Sequence, residues 1–242
     1  MSLIFSGKDW FKLDGVLCDT MGLICDTPQI PPMARKRYTT FKFGSDEDGV
    51  FSDDSYENVR YTLTAFKFPM DRATDFNDTA LYAWIQGAKR LEISRYSGYY
   101  FKIRTIDGIQ PVTRSDGMRI DYKISMTLSP FRYHTANDEF ALPNDGVITN
   151  PGTRYSKPII KFTADGGGVI TTNGEAFTVA YESGLITVDS DRMLCYKTVD
   201  GENISIMEKT VGKLPMFSAG TNAVQVSAGI SNCTVIGNWR CY

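Results

Sequence analysis

One stretch limits what this chain can fold into more than any other. Met118, Ile120, Tyr122, Ile124, Met126 and Leu128 alternate with Arg119, Asp121, Lys123, Ser125 and Thr127. A period of two held over eleven residues puts every apolar side chain on one face of an extended backbone, whereas a helix would scatter them around its axis. The pattern predicts a half-buried strand of an antiparallel sheet, with one face on a core and the other toward water. It ends in Ser129-Pro130-Phe131-Arg132-Tyr133. Val59 to Phe68 reads as a second strand. Val59, Tyr61 and Leu63 point inward, and the apolar phase then shifts to Phe66 and Phe68, as a β-bulge near Ala65 would produce. Tyr38 to Phe43 reads as a third strand, with Phe41 and Phe43 on one face.

Helical periodicity is convincing once. Leu81, Trp84, Ile85 and Ala88 recur at three- and four-residue spacing after Asn77 or Asp78, either of which suits an N-cap. Gly87 is placed to stop the helix. Leu91 to Ser94 and Tyr99 to Thr105 then read as a hairpin across Arg-Tyr-Ser-Gly. Beyond residue 158 the chain is short strands and tight turns, including Asp165-Gly-Gly-Gly168, Asp189-Ser190-Asp191 and Asp200-Gly201. The strongest hairpin signal is Asn173-Gly174. A turn every eight to twelve residues is the pattern of a β-sandwich or jelly roll.

Between these regions lies Ala136 to Pro158, with three prolines and the turn dipeptides Asp145-Gly146 and Asn150-Pro151. The chain before it is rich in aromatic residues and charge, and the chain after it is poorer in both. The fold expected is mainly β. Residues 1–135 form a β-sandwich-like domain with one helix, 136–150 a linker, and 151–242 a β-sandwich.

Residues 1–149 hold 18 Lys and Arg against 20 Asp and Glu, and residues 150–242 hold 8 against 8. Neither half has the basic excess that tight phosphate-backbone binding needs, so specific nucleic-acid binding is not expected. No apolar run is long enough to cross a bilayer, and the opening Met-Ser-Leu-Ile-Phe-Ser-Gly-Lys does not read as a signal peptide. The five cysteines, Cys18, Cys25, Cys195, Cys233 and Cys241, are odd in number and form no Cys-x-x-Cys pair, which suits free thiols in a reducing cytosol.

Catalytic constellations are missing from the sequence. His134 is the single histidine. There is no Gly-x-Ser-x-Gly elbow and no glycine-rich nucleotide loop. Asp46, Asp48 and Glu57 fall at positions one, three and twelve of an EF-hand loop, but Val50 and Phe51 occupy positions five and six, where a ligand and a glycine are required. No catalytic residue, metal or cofactor is expected, and the protein reads as a non-enzyme.

An interaction surface is expected instead. Residues 1–149 carry 22 of the chain's 30 aromatics yet show one helix to cover a sheet, so a face or edge must be buried elsewhere. The segment from Pro28 through Pro31 and Pro32 to Arg35-Lys36-Arg37 is extended, cannot pair as a central strand and ends in three basic residues. Pro28, Pro31, Pro32, Arg35, Lys36 and Arg37 are the candidate subunit-interface residues. The acidic turns at Asp46, Asp48 and Asp53-Asp54 are their candidate partners across subunits.

Several segments in order resemble the distal tail protein (Dit) family of long-tailed phages, also called siphovirus tail component. In the first half these are Phe5-Ser-Gly-Lys-Asp9, Met21-Gly22-Leu23, Phe43-Gly44-Ser-Asp-Glu-Asp-Gly49, Ala83-Trp84-Ile85-Gln86-Gly87 and Ser125-Met-Thr-Leu-Ser-Pro130-Phe131-Arg-Tyr133. In the second half they are Asn150-Pro-Gly-Thr-Arg-Tyr155-Ser156-Lys157-Pro158, Asp189-Ser-Asp191, Gly212-Lys-Leu-Pro-Met-Phe217, Gly220-Thr-Asn222 and Trp239-Arg240. Pro28–Pro32 and Arg35–Arg37 match nothing in that pattern. The resemblance implies a structural hub of a phage or prophage tail tip, made in the host bacterial cytoplasm and carried in the virion. It implies an N-terminal hexameric ring that leaves a channel for DNA, and a galectin-like C-terminal domain. The partners implied are a second copy of the chain, the tail tube protein, a tail-tip or tail-associated lysin protein, and receptor-binding proteins. The alternative is a carbohydrate-binding β-sandwich that contacts the host cell surface. Sugar sites need an exposed aromatic platform, and the second half has eight aromatics, most at strand positions expected to be buried.

Overall fold

The structure is a computed structural model that describes residues 9–42, 48–68, 78–114 and 119–242. The chain divides into two compact units, one reaching Arg132 and including Tyr242, the other Tyr133–Cys241. Among the described residues it is mainly β, with a single α-helix.

The first unit contains β1 (Phe11–Leu13), β2 (Val16–Leu17), β3 (Ile24–Cys25), β4 (Thr39–Lys42), β5 (Asp48–Phe51), β6 (Val59–Lys67), α1 (Thr79–Gly87), β7 (Arg90–Ile93), β8 (Tyr99–Thr113) and β9 (Ile120–His134), whose last two residues belong to the second unit. Strands β2-β1-β7-β8-β9-β6-β3 follow one another across one sheet. The alternation read in the sequence sets its packing. Ile120, Tyr122, Ile124, Met126 and Leu128 are buried, and Lys123 between them is exposed. Met118 lies outside the described residues. Helix α1 covers the same core with Leu81 and Ile85, and Trp84 stacks on Phe11.

Three details differ from the expectations. No bulge forms near Ala65: β6 and β9 stay in register from Val59↔Leu128 to Lys67↔Ile120, and Ala65 remains inward. Phe66 instead occupies the outer face, edge-on to Phe68 and under the Arg119 guanidinium at 3.7 Å. That cation–π cover lets an aromatic side chain sit away from the core. Asp78 makes no side-chain cap of α1. Its carboxylate accepts from the Tyr122 hydroxyl and from Lys67 Nζ at 2.5 Å, so a buried acid is held by a buried phenol and a cation. Asn77, the other expected cap, lies outside the described residues. Finally, β9 does not end at Ser129-Pro130. Because β6 begins at Val59, opposite Leu128, the missing Pro130 amide breaks no bond of that ladder.

The second unit contains β10 (Phe140–Ala141), β11 (Asp145–Asn150), β12 (Ile159–Ala164), β13 (Gly167–Thr172), β14 (Glu175–Ala180), β15 (Gly184–Asp189), β16 (Leu194–Val199), β17 (Glu202–Ser205), β18 (Thr210–Gly212), β19 (Gly220–Val226), β20 (Ile230–Ile236) and β21 (Arg240–Cys241). Sheet β10-β20-β12-β15-β16-β17 and sheet β11-β19-β13-β14-β18 form a sandwich around one core. Ile160, Phe162, Ile186, Val188 and Val235 face Ile170, Phe177, Val179 and Val224 across it, with Phe217 and Trp239 filling its end. Asn173 and Gly174, at φ 50° and 83°, make the two-residue turn between β13 and β14.

Residues 136–150, expected to be linker, carry β10 and β11 of this sandwich. β11 is an edge strand pairing with β19 from Asp145↔Gln225 to Asn150↔Gly220, and an edge tolerates the weak strand formers Asp-Gly and Asn. The turn signal at Asn150-Pro151-Gly152 is real. The Asn150 amide donates to the carbonyls of Arg154 and Phe217 and accepts from the Gly152 N–H. A Cβ on Gly152 would lie 2.4 Å from the Arg240 carbonyl oxygen, so only glycine fits.

Candidate interaction surface

The proline segment is a strap on the first unit. Pro28, Pro31 and Ala34 are buried, while Gln29, Ile30, Pro32 and Met33 are exposed. Burial every third residue is the period of polyproline II, the conformation that closely spaced prolines impose. Tyr61 Oη fixes the strap by donating to the Gln29 carbonyl. Its basic end is tied back along the chain. Arg37 N–H donates to Ser55 O and Glu57 N–H to Arg35 O, flanking a bridge between Lys36 and Tyr56.

The expected charge partners are found in part, and within one chain. Lys36 Nζ meets Asp54 Oδ1 at 2.5 Å. The Asp53 carboxyl is held below its ordinary pKa by hydrogen bonds from Ser55, with a small contribution from Arg37. Asp48 stands opposite Lys42 in β5, and Asp46 lies outside the described residues.

After the strap the chain forms β4 and β5, which among the described residues pair only with each other. Phe41 and Phe51 share one face of this ribbon, and Val50 is on the other. Val50 and Phe51 are 61% and 59% exposed. A two-stranded ribbon with neither face on a core is marginal in water, and an exposed aromatic face of this kind is the sort of surface that interaction sites present. Phe43 lies outside the described residues.

Beside the strap is a half-open hollow of about 370 Å³ lined by Pro31, Pro32, Val59, Tyr96, Phe101, Ser129, Arg132 and Tyr242, with Ile30 and Met33 at its lip. The rings of Tyr56, Phe131 and Tyr242 cluster edge-to-face nearby at 5.2–6.0 Å. Sequence reasoning did not reach this hollow. Its residues come from five separated segments, and the one available signal was the aromatic and basic character of Ser129-Pro130-Phe131-Arg132-Tyr133.

His134 Nε2 sits 3.5 Å from Cys241 Sγ. Burial pushes the Cys25, Cys195 and Cys233 thiols up to about 12, which suppresses the thiolate at neutral pH. Among the described residues no three His, Cys, Asp or Glu side chains gather as a metal site. No helix of the described residues is long and apolar enough to cross a membrane. In the second unit Phe162, Phe177, Phe217 and Trp239 are buried as expected, whereas Tyr181 is 92% exposed at φ 55°.

No family model matches the sequence, and no curated protein does. The fold does match a solved structure. The crystal structure of the Dit protein (gp 19.1) of SPP1, described as a paradigm of the hub adsorption apparatus in Gram-positive-infecting phages, superposes with a TM-score of 0.65. The match covers 94% of this chain and 97% of that one at 12% identity, so what the two proteins share is the fold.

Proposed function

We propose that the protein is a structural hub of a phage or prophage tail tip. The observation that carries this reading is the fold shared with a phage hub protein over nearly the full length of both chains. The first unit supports it with an exposed aromatic ribbon and a proline strap, features suited to assembly rather than catalysis. In the reading proposed, first units close into a ring, six by resemblance to the distal tail proteins, joining the tail tube to the tip and leaving a channel for DNA. The second unit, a galectin-like sandwich in that family, points outward toward tip or receptor-binding proteins. A head-to-tail contact that closes gives a ring of fixed size, and one that does not gives a fibre.

Native mass spectrometry of the full chain over a wide concentration range, with electron microscopy of the same samples, tests the reading. Closed rings of six are the expected species. A monomer at every concentration, with no ring in the presence of the tube or tip protein from the same genome, would overturn it.

A further inference from the structure

We infer that the hollow beside the proline strap is a docking site for an extended peptide segment of a partner protein, one that carries an aspartate or glutamate next to an apolar residue. The cation comes first. Arg132 CZ lies over the Tyr96 ring at 4.4 Å and the Tyr99 ring at 5.1 Å. Its Nε is buried and has no hydrogen-bond partner. Among the described residues, none of the side chains lining the hollow is acidic. A guanidinium stays charged at any ordinary pH and carries its donors in its own plane, so stacking on the two rings does not itself satisfy them.

A second polar group independently marks the same place. Ser129 is 1% exposed, lines the hollow, and its Oγ has no partner. An unpartnered hydroxyl in an apolar wall is costly, and a carboxylate oxygen would accept from it. Ser129 and Arg132, three residues apart on one strand, both line the hollow, the one with a hydroxyl and the other with a guanidinium. Such charge-assisted bonds to a carboxylate are the strong ones.

The rest of the hollow selects against a free anion. Pro31, Val59 and Phe101 give it an apolar floor, and Ile30 and Met33 extend that character to the lip. Among the described residues Arg132 is the one cation lining the hollow, one charge where a phosphate would want two or more. Pro31 and Pro32 have no N–H, so that part of the rim offers only carbonyl acceptors, which suit the amides of an extended chain.

The probe is a fluorescein-labelled peptide amide, Gly-Leu-Asp-Leu-Gly, compared with its Gly-Leu-Asn-Leu-Gly twin by anisotropy on the full chain. The acid peptide should bind about tenfold tighter, the worth of one charge-assisted bond. Arg132→Gln should remove that preference while leaving the weak apolar binding common to both peptides. Arg132→Lys, which keeps the charge and guards against a folding defect, should retain part of it. Ser129→Ala should reduce it about two- to threefold. Equal binding of the two peptides, or a preference that survives Arg132→Gln, would overturn the proposal. So would displacement by inorganic phosphate at the peptide's own concentration, which would assign the hollow to a free anion. Loss of self-association in Arg132→Gln without peptide binding by the wild type would assign it to a second copy and equally overturn it.

Discussion

The two units build their cores differently, and both leave apolar side chains at the surface. The second closes on itself: two sheets face each other, and Phe162, Phe177 and Phe217 are fully buried between them. The first is built on one main sheet with a nine-residue helix over it, and between Ile30 and Phe51 it leaves Ile30, Met33, Tyr38, Phe41, Val50 and Phe51 exposed. A sandwich supplies its own second layer, whereas a single sheet with a short helix does not. The contrast makes the strap and ribbon of the first unit the place where the proposed assembly contacts are to be tested, even though both units are β.

The largest effects expected are in the two cores. Phe162→Ala in the second unit and Leu63→Ala in the first each remove a fully buried side chain and should cost about 2–5 kcal/mol. If each unit has its own cooperative core, calorimetry will show each variant lowering a different transition. A single transition lowered by both would break the contrast at its base.

Gly152→Ala should follow, at about 1–3 kcal/mol, because its Cβ would collide with the Arg240 carbonyl. The loss should fall on the second unit alone, read by the same calorimetry. A neutral result would mean that the Asn150 turn can open without disturbing the sandwich.

The ribbon reverses the balance between stability and assembly. Phe41→Ser with Phe51→Ser should change the unfolding free energy by about 0.5 kcal/mol or less, as exposed substitutions do, while raising the concentration needed for self-association at least tenfold. Sedimentation velocity reads the second quantity and denaturant unfolding the first. Loss of several kcal/mol with assembly intact would place the ribbon in a core and end its role as an interface.

These contrasts show which parts of the molecule could be read from the sequence. Period two in β9, the Leu81-Ile85-Ala88 stripe of α1 and the Asn173-Gly174 hairpin were legible because local pattern and burial agree there. Phe66 misled because its cover is Arg119, a residue just before β9 that no local pattern reports. Pro130 misled because its tolerance depends on where β6 begins. Of the candidate surface, the strap was legible from its prolines. The sequence matched Arg35–Arg37 with Asp53-Asp54 across subunits, and Lys36 meets Asp54 within one chain. The hollow was not legible at all, since Pro31, Tyr96, Ser129 and Arg132 meet only after the sheet has formed.

The smallest effect expected concerns acid. Glu182 in the second unit is held below the ordinary carboxyl pKa of 4.5 by hydrogen bonds from Lys209 and Lys197, outweighing burial. In the first unit, burial raises Asp121, but Arg114 and Arg119 win and hold it below 3.8. Each carboxylate binds a proton more weakly folded than unfolded. Each therefore contributes stability that is complete above its unfolded pKa and is lost as pH falls through its lower folded value. Between neutral pH and about 5 neither should matter to the pH dependence. Below the ordinary values of 4.5 and 3.8, Glu182→Gln should flatten the acid limb of the second unit's transition and Asp121→Asn that of the first. Asp121 and the lysines that hold Glu182 are partly open to solvent, so the slopes should be shallow and should shrink further in high salt. Thermal unfolding from pH 6 down to pH 3 measures this. The comparison is sharpened if the two substitutions act on separate transitions, and it fails if Glu182→Gln leaves the acid limb of the second unit unchanged.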